Sequence, residues 1–373
     1  MIWLLLGTVL PSLVICWAAA FAVRRLGPRW GLVDRPGHRK VHETVMPTAG
    51  GLAIYLGVVL PFAAGQLVLG ILLATRSAEG EYLVALPAEI AVHLPGLWHQ
   101  SRRLWLLLAG GTAVMLLGLA DDRFGLDWRW RLGAQTLVAL VLVNAGWRMT
   151  LFIDAPLLTG VLSVVWIVGL INSFNMLDNM DGLSAGVAAI AAAMLAAVML
   201  MVPNPESHQP QLFTGGFLLV LFGSLLGFLW HNRPPARLFM GDAGSYLVGY
   251  LVAVATLTAT FAGPDLPRHA ILAPLCVLAV PVYDTATVVL IRLRAGRSPF
   301  EGDKSHFSHR LVELGMTRPR AVLTIYLCTA TCGLGALLLH QLKGLAGAVI
   351  VLTMVVCVLT LVGILETTGR QKK

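Results

Sequence analysis

The feature that most constrains this chain is a succession of long apolar runs. There are eleven, at about 3–22, 49–73, 104–120, 133–147, 157–174, 183–202, 214–230, 246–263, 271–291, 321–341 and 345–365. A helix that crosses a bilayer needs about 20 mostly apolar residues, and it must satisfy its backbone within itself. The third and fourth runs are short and the second is long, differences that tilt and packing absorb. The pattern predicts an all-α polytopic membrane protein with about 11 transmembrane helices. Only 12% of the residues are charged and 57% are hydrophobic, whereas a soluble domain carries about a quarter charged. Residues 1–373 therefore read as a single integral membrane domain.

Lysine and arginine give the orientation. Of the 27, 21 fall in segments that follow odd-numbered runs and 6 in segments that follow even-numbered ones. Cytoplasmic loops carry the excess of positive charge, so the N-terminus is expected outside and the C-terminus in the cytoplasm. The net charge of +8 is thus a topology signal, and no nucleic-acid partner is needed to explain it. All five cysteines (Cys16, Cys276, Cys328, Cys332, Cys357) lie inside apolar runs. No CxxC or Cys/His spacing accompanies them, which argues against zinc and against a disulfide framework.

With that orientation the polar clusters fall on the cytoplasmic side, in segments 23–48, 121–132, 175–182, 231–245 and 292–320. The densest is Ile171-Asn-Ser-Phe-Asn-Met-Leu-Asp-Asn-Met-Asp-Gly182, where Asn172, Asn175, Asp178 and Asp181 recur every three residues. On a helix that spacing keeps neighbours within reach along a slowly rotating face. A carboxylate at a helix centre in a bilayer costs roughly 2.5–3.5 kcal/mol or more, so two together call for a shared cation or substrate. Asp121, Asp122 and Asp242 add three more carboxylates at span ends. Hard oxygen donors without cysteine suit magnesium or manganese.

Adjacent residues such as Asp121 and Asp122 cannot point the same way from one helix, and the helix dipole disfavours both at a C-terminus. Gly241-Asp-Ala-Gly-Ser245 precedes a helix, where backbone N–H groups from Gly241 onward and the Ser245 hydroxyl can receive phosphate oxygens. A plain glycine turn capped by serine fits the same residues. Phe239 offers a stacking surface for a base. His306 and His309, beside Lys304 and Arg310, suit anion binding or proton exchange. Asp284 lies in mid-run, where a buried pairing with Thr287 or an arginine is expected. No GxxxxGK[ST], GxGxxG or HExxH occurs, so phosphate chemistry here is not that of a P-loop.

These clusters, in this order, resemble the polyprenyl-phosphate N-acetylhexosamine-1-phosphate transferases, polytopic enzymes that start bacterial envelope glycan synthesis. The resemblance covers nearly the whole chain. It rests on the basic loop ending in Pro47-Thr-Ala-Gly-Gly51, on Asp121-Asp122, and on Asn172 through Gly182. Phe239-Met-Gly-Asp-Ala-Gly-Ser245, Pro281-Val-Tyr-Asp-Thr285 and Pro299 through His306 complete it. One departure stands out: many relatives of the N-acetylglucosaminyl branch carry His-x-His-His where this chain has His306-Phe-Ser-His309.

The resemblance implies a Mg2+-dependent enzyme (Mn2+ as substitute) of the bacterial inner membrane, facing the cytoplasm. It would move sugar-1-phosphate from a UDP-N-acetylhexosamine, UDP-GlcNAc first, to undecaprenyl phosphate, releasing UMP. It places metal coordination at Asn175 and Asp242, uracil against Phe239, and substrate contacts at Lys40, Asn172, Gly241, Ser245, Lys304, His309 and Arg310. Catalytic roles go to Asp121, Asp122, Asp178, Asp181 and His306, with Asp121 as base and Asp122 as its support. A homodimer is compatible with this reading. The alternatives are a phospho-N-acetylmuramoyl-pentapeptide transferase and, from another class, a transporter or flippase. A transporter should hold its ionisable residues near mid-span, whereas here most map to span ends on one side.

Overall fold

Each of the eleven apolar runs is mainly helical among the described residues, as continuous apolar stretches without a period-two pattern should be. The computed structural model describes residues 2–35, 45–76, 82, 91–149, 152–202, 209–259, 261, 267–300, 305–342 and 344–368. In chain order the helices are α1 (Ile2–Leu26), α2 (Gly50–Ala74), α3 (Leu94–Phe124), α4 (Trp128–Asn144), α5 (Pro156–Leu177) and α6 (Leu183–Met201). Then come α7 (Leu212–Asn232), α8 (Gly241–Thr258), α9 (Ala273–Val277), α10 (Ala279–Arg294), α11 (Phe307–Glu313), α12 (Arg318–Gln341) and α13 (Leu345–Thr368).

Among the described residues, eight helices are long and apolar enough to cross a membrane, or nine if a bent pair counts as one span. That pair is Arg268–Val277 with Ala279–Arg294, bent by 67°. Pro281, third in α10, has no N–H to return to the preceding turn, which accounts for a break there. The other two expected spans are α4, at 17 residues, and α8, at 18. Both fall short of the roughly 20 residues typical of a span.

Helix α8 is the centre of the assembly, buried without interruption from Ala243 to Thr256. Helices α2, α3 and α5 pack around it. A helix apolar on all sides has no solvent or lipid face to present. Helices α1 and α7 touch backbone to backbone: a Cβ on Gly223 or Gly227 would lie 2.4 Å from the carbonyl oxygens of Val9 or Leu13. Small residues one turn apart allow that approach in place of a hydrophobic driving force.

Two residues of β1 (Val33–Asp34) pair antiparallel with two of β2 (Met46–Pro47), a small exception to the all-helical expectation. The ladder closes the ends of the first polar segment and delivers Thr48–Gly51 to the start of α8. There Phe239 donates its N–H to Pro47 O at 2.9 Å, and Gly50 and Gly51 donate to Phe239 O and Met240 O at 3.0 Å.

Candidate active site

The five polar segments meet at one end of the bundle. Arg123 Nη1 donates to Trp30 O at 2.8 Å, joining the second segment to the first. Trp128 stacks on Phe300 with ring centroids 4.1 Å apart, joining the second to the fifth. The Ser308 hydroxyl donates to Asn179 Oδ1 at 2.5 Å, joining the fifth to the third. Ser308 therefore fastens the histidine segment to the aspartate segment.

The start of α8 organises the site. Gly241 has φ +69°, and a Cβ there would lie 2.3 Å from Thr48 O and 2.6 Å from Asp122 Oδ2. Only glycine takes that backbone and that space without strain. Asp122 accepts the backbone N–H groups of Asp242 at 3.0 Å and Ala243 at 3.1 Å, one on each oxygen. Its charge is disfavoured at the C-terminal end of α3 but favoured at the N-terminal end of α8. Asp121 points elsewhere, as adjacency requires. Its oxygens accept from Leu126 N at 2.8 Å, Arg131 Nη1 at 3.0 Å and Tyr246 OH at 2.7 Å. Three donors commit Asp121 to the protein, an arrangement that fits anchoring better than the proton acceptance expected of it.

Helix α5 ends at Leu177, so the four polar residues do not share one face. Asn172 donates to Gln135 Oε1 at 2.7 Å and to Val168 O at 2.8 Å, facing α4 and not the carboxylates. Asn175, three residues and about 60° further round, reaches α8: its Nδ2 donates to Asp242 Oδ1 at 2.6 Å and to Ser245 Oγ at 3.1 Å. Ser245 is fully buried and steadies Asn175 from below. Asp181 accepts from Ala236 N at 2.9 Å. Asn232 accepts from Gly182 N and donates to Leu238 O, both at 2.9 Å. These bonds hold the 233–240 loop against the aspartate turn.

Asp178 differs from its neighbours. Among the described residues its carboxyl has no hydrogen-bond partner, and its pKa is pushed up to about 8 by burial first, then by Asp242 and Asp181. An acid destabilised in this way gains from a cation or a donor-rich ligand. Asn175 Oδ1 likewise accepts no hydrogen bond among the described residues. Asp178, Asp242 and the Asn175 oxygen thus gather hard donors at one corner, although no three His, Cys, Asp or Glu side chains form a ready-made metal cluster among the described residues. Magnesium does not need one, because it keeps waters and shares its shell with substrate phosphates.

The remaining predicted residues divide. Phe239 is half-buried beside the Pro47–Gly51 backbone, and His309 is half-exposed with its ring 6.2 Å from that of His306. Arg310 is buried and donates to Thr287 Oγ1 at 3.2 Å, tying α11 to α10. Lys40 and Lys304 lie outside the described residues. Among the described residues the Asp284 carboxyl bonds neither Thr287 nor an arginine: its Oδ2 lies 2.9 Å from His306 Nδ1. Arg131, Tyr246 and Asn232 were not foreseen as partners, although each stands within or next to a cluster the sequence marks.

A family model described as Glycosyl transferase family 4 matches residues 104–260. A Bacillus subtilis protein named "Probable undecaprenyl-phosphate N-acetylglucosaminyl 1-phosphate transferase" is 32% identical over 329 residues, covering 86% of this chain and 80% of the relative. A Mycobacterium tuberculosis "Decaprenyl-phosphate N-acetylglucosaminephosphotransferase" is 34% identical over 352 residues, covering 88% and 80%. The chain belongs to the polyprenyl-phosphate N-acetylhexosamine-1-phosphate transferase family. The Escherichia coli K12 "Undecaprenyl-phosphate alpha-N-acetylglucosaminyl 1-phosphate transferase" is a further relative, 29% identical over 327 residues, or 83% and 77% of the two chains. In this member of the family the span matched by the model, 104–260, takes in the whole carboxylate cluster. The His306 segment lies beyond it.

Proposed function

We propose that this chain transfers N-acetylglucosamine-1-phosphate from UDP-GlcNAc to undecaprenyl phosphate and releases UMP, at the cytoplasmic face of a bacterial inner membrane. A lipid phosphate oxygen attacks the phosphorus that bears the sugar. The P–O bond to the second phosphorus breaks, and its electron pair leaves with UMP. The observation that carries this reading is the Asn175–Asp242 pair beside Asp178, whose carboxyl has no hydrogen-bond partner among the described residues, set in a chain whose relatives are named for GlcNAc-1-phosphate transfer. Those names favour the GlcNAc reading over the muramoyl-pentapeptide one.

Phosphoryl transfer depends mainly on positioning and charge neutralisation. Asp242, Asp178 and Asn175 would hold Mg2+, which when bound neutralises diphosphate charge. Asp122 fixes the N-terminus of α8, and Asp121 with Arg131 and Tyr246 braces the end of α3. The acceptor's second pKa is near 6, so at neutral pH most of it is already the nucleophilic dianion. His306 and His309 supply donors for phosphate oxygens, and Phe239 supplies a surface for uracil.

The test is an assay of purified protein with undecaprenyl phosphate, magnesium and a panel of UDP-sugars. UMP together with lipid-diphosphate GlcNAc is the expected product. Selective use of UDP-MurNAc-pentapeptide would instead favour the muramoyl branch, and absence of any UMP would refute the activity. Reporter fusions near residues 125, 238 and 305 should report the cytoplasmic side, and outward accessibility at 305 would refute the orientation.

A further inference from the structure

A second acid is buried away from the carboxylate corner. Asp284, on α10, is 1% exposed. Its Oδ1 accepts the N–H of Phe307 at 2.6 Å, and its Oδ2 lies 2.9 Å from His306 Nδ1. The first bond caps α11 from another helix, satisfying a donor that the helix start leaves open. Thr287 offers Asp284 no donor, because its hydroxyl bonds Tyr283 O at 2.9 Å and Asp284 O at 3.0 Å. His306 is thus the one side chain compensating this carboxylate among the described residues. A buried carboxylate requires such a donor, and where Asp284 is the acceptor the proton sits on Nδ1. His306 Nε2 makes no hydrogen bond among the described residues. Two residues on, Ser308 is bonded to Asn179, next in sequence to Asp178.

We propose that Asp284 is a positioning residue of the transfer reaction: it fixes His306 in the Nδ1–H form and leaves the Nε2 lone pair to accept the proton that a substrate phosphate still holds. The inference rests on the proposed function only for the identity of that phosphate. Once Nε2 has taken that proton, it donates to the same phosphate oxygen. Arg310 is turned to Thr287, and His309 stands edge-on to His306 at 6.2 Å. Neither replaces Asp284 behind the ring.

The test compares wild type, Asp284→Asn, His306→Gln and the double variant, reading kcat, the KM for UDP-GlcNAc and the thermal midpoint. In Asp284→Asn the amide oxygen can still accept from Phe307 N, which keeps the cap. Its NH2 would then face Nδ1 and force the proton to Nε2, the wrong tautomer. We expect kcat to fall at least about tenfold, in line with losses of orienting partners elsewhere, with KM and midpoint little changed. The double variant should then be no slower than the slower single, because Asp284 acts through His306. Losses that multiply, or an Asp284→Asn variant with full kcat, overturn the proposal.

Should a variant fail to fold, nitrogen-15 spectra of histidine-labelled wild-type protein decide. An Nδ1–H or doubly protonated His306 supports the assignment, and an Nε2–H ring with bare Nδ1 refutes it. Wild-type protein that releases no UMP from any UDP-sugar would sink the proposed function and leave this spectroscopic answer standing.

Discussion

Asp122 and Asp242 face each other across a helix start, the carboxylate of the first accepting the backbone N–H of the second at 3.0 Å. The same carboxylate accepts from Ala243 at 3.1 Å. One side chain therefore joins the end of α3 to the beginning of α8 and sets where the Asp242 carboxyl stands.

Asp122→Ala should lower stability by about 1–2 kcal/mol, the usual loss when a helix cap is removed. Asp122→Asn keeps one acceptor and should lose less. Thermal midpoints in detergent measure both, and activity should fall in the same order because Asp242 loses its support. Two variants with wild-type midpoints would show that the cap carries no stability.

Asp242→Asn should separate charge from shape. The amide oxygen can still accept from Asn175 Nδ2, now at 2.6 Å from Asp242 Oδ1, so folding should persist. A bound cation contributes several kcal/mol of charge stabilisation, so losing its ligand should cost on the order of 100-fold in turnover. Excess magnesium should restore little. Wild-type turnover at low magnesium would remove Asp242 from the ligand set.

Most of the architecture was legible in the sequence because lipid imposes it: apolar runs have few ways to satisfy their backbones other than as helices. The gathering of polar segments at one end followed from charge distribution. What escaped was decided by where helices stop and how they rotate. Asn172 faces Gln135 because α5 continues to Leu177 and each three-residue step turns the face by about 60°. Asp284 and His306 are 22 residues apart on elements whose approach no local pattern encodes. Helix α3 begins at Leu94, well before the expected 104, because His99, Arg102 and Arg103 keep that first part outside any apolar window.

Asp178 gives a pH dependence with a definite sign. Its folded pKa is raised to about 8, by burial first and then by Asp242 and Asp181, against roughly 3.9 in an unfolded chain. Between those values the unfolded state gives up a proton that the folded state keeps, so this group's contribution to stability falls as pH rises. Asp178→Asn escapes that loss. In chelator, its midpoint should gain on wild type from pH 5 to pH 8 and level off above. A gap that stays constant across this range would place the titration elsewhere.

Asp121 offers the sharpest choice between two roles. A base for the acceptor should matter most where the lipid phosphate still holds its second proton, and carboxylates nearby raise that pKa above its usual value near 6. Asp121→Asn would then lose more activity at pH 6 than at pH 8.5. The geometry argues for the other outcome. Both Asp121 oxygens are engaged, one by Leu126 N and the other by Arg131 and Tyr246, which places the carboxylate to brace Arg131 and the end of α3. The asparagine variant should lose activity equally at the two pH values, because it loosens Arg131 and the end of α3 at both. Tyr246→Phe, which removes one donor and no charge, should show a smaller loss with the same flat profile. A loss concentrated at pH 6 in Asp121→Asn but absent from Tyr246→Phe would restore the base.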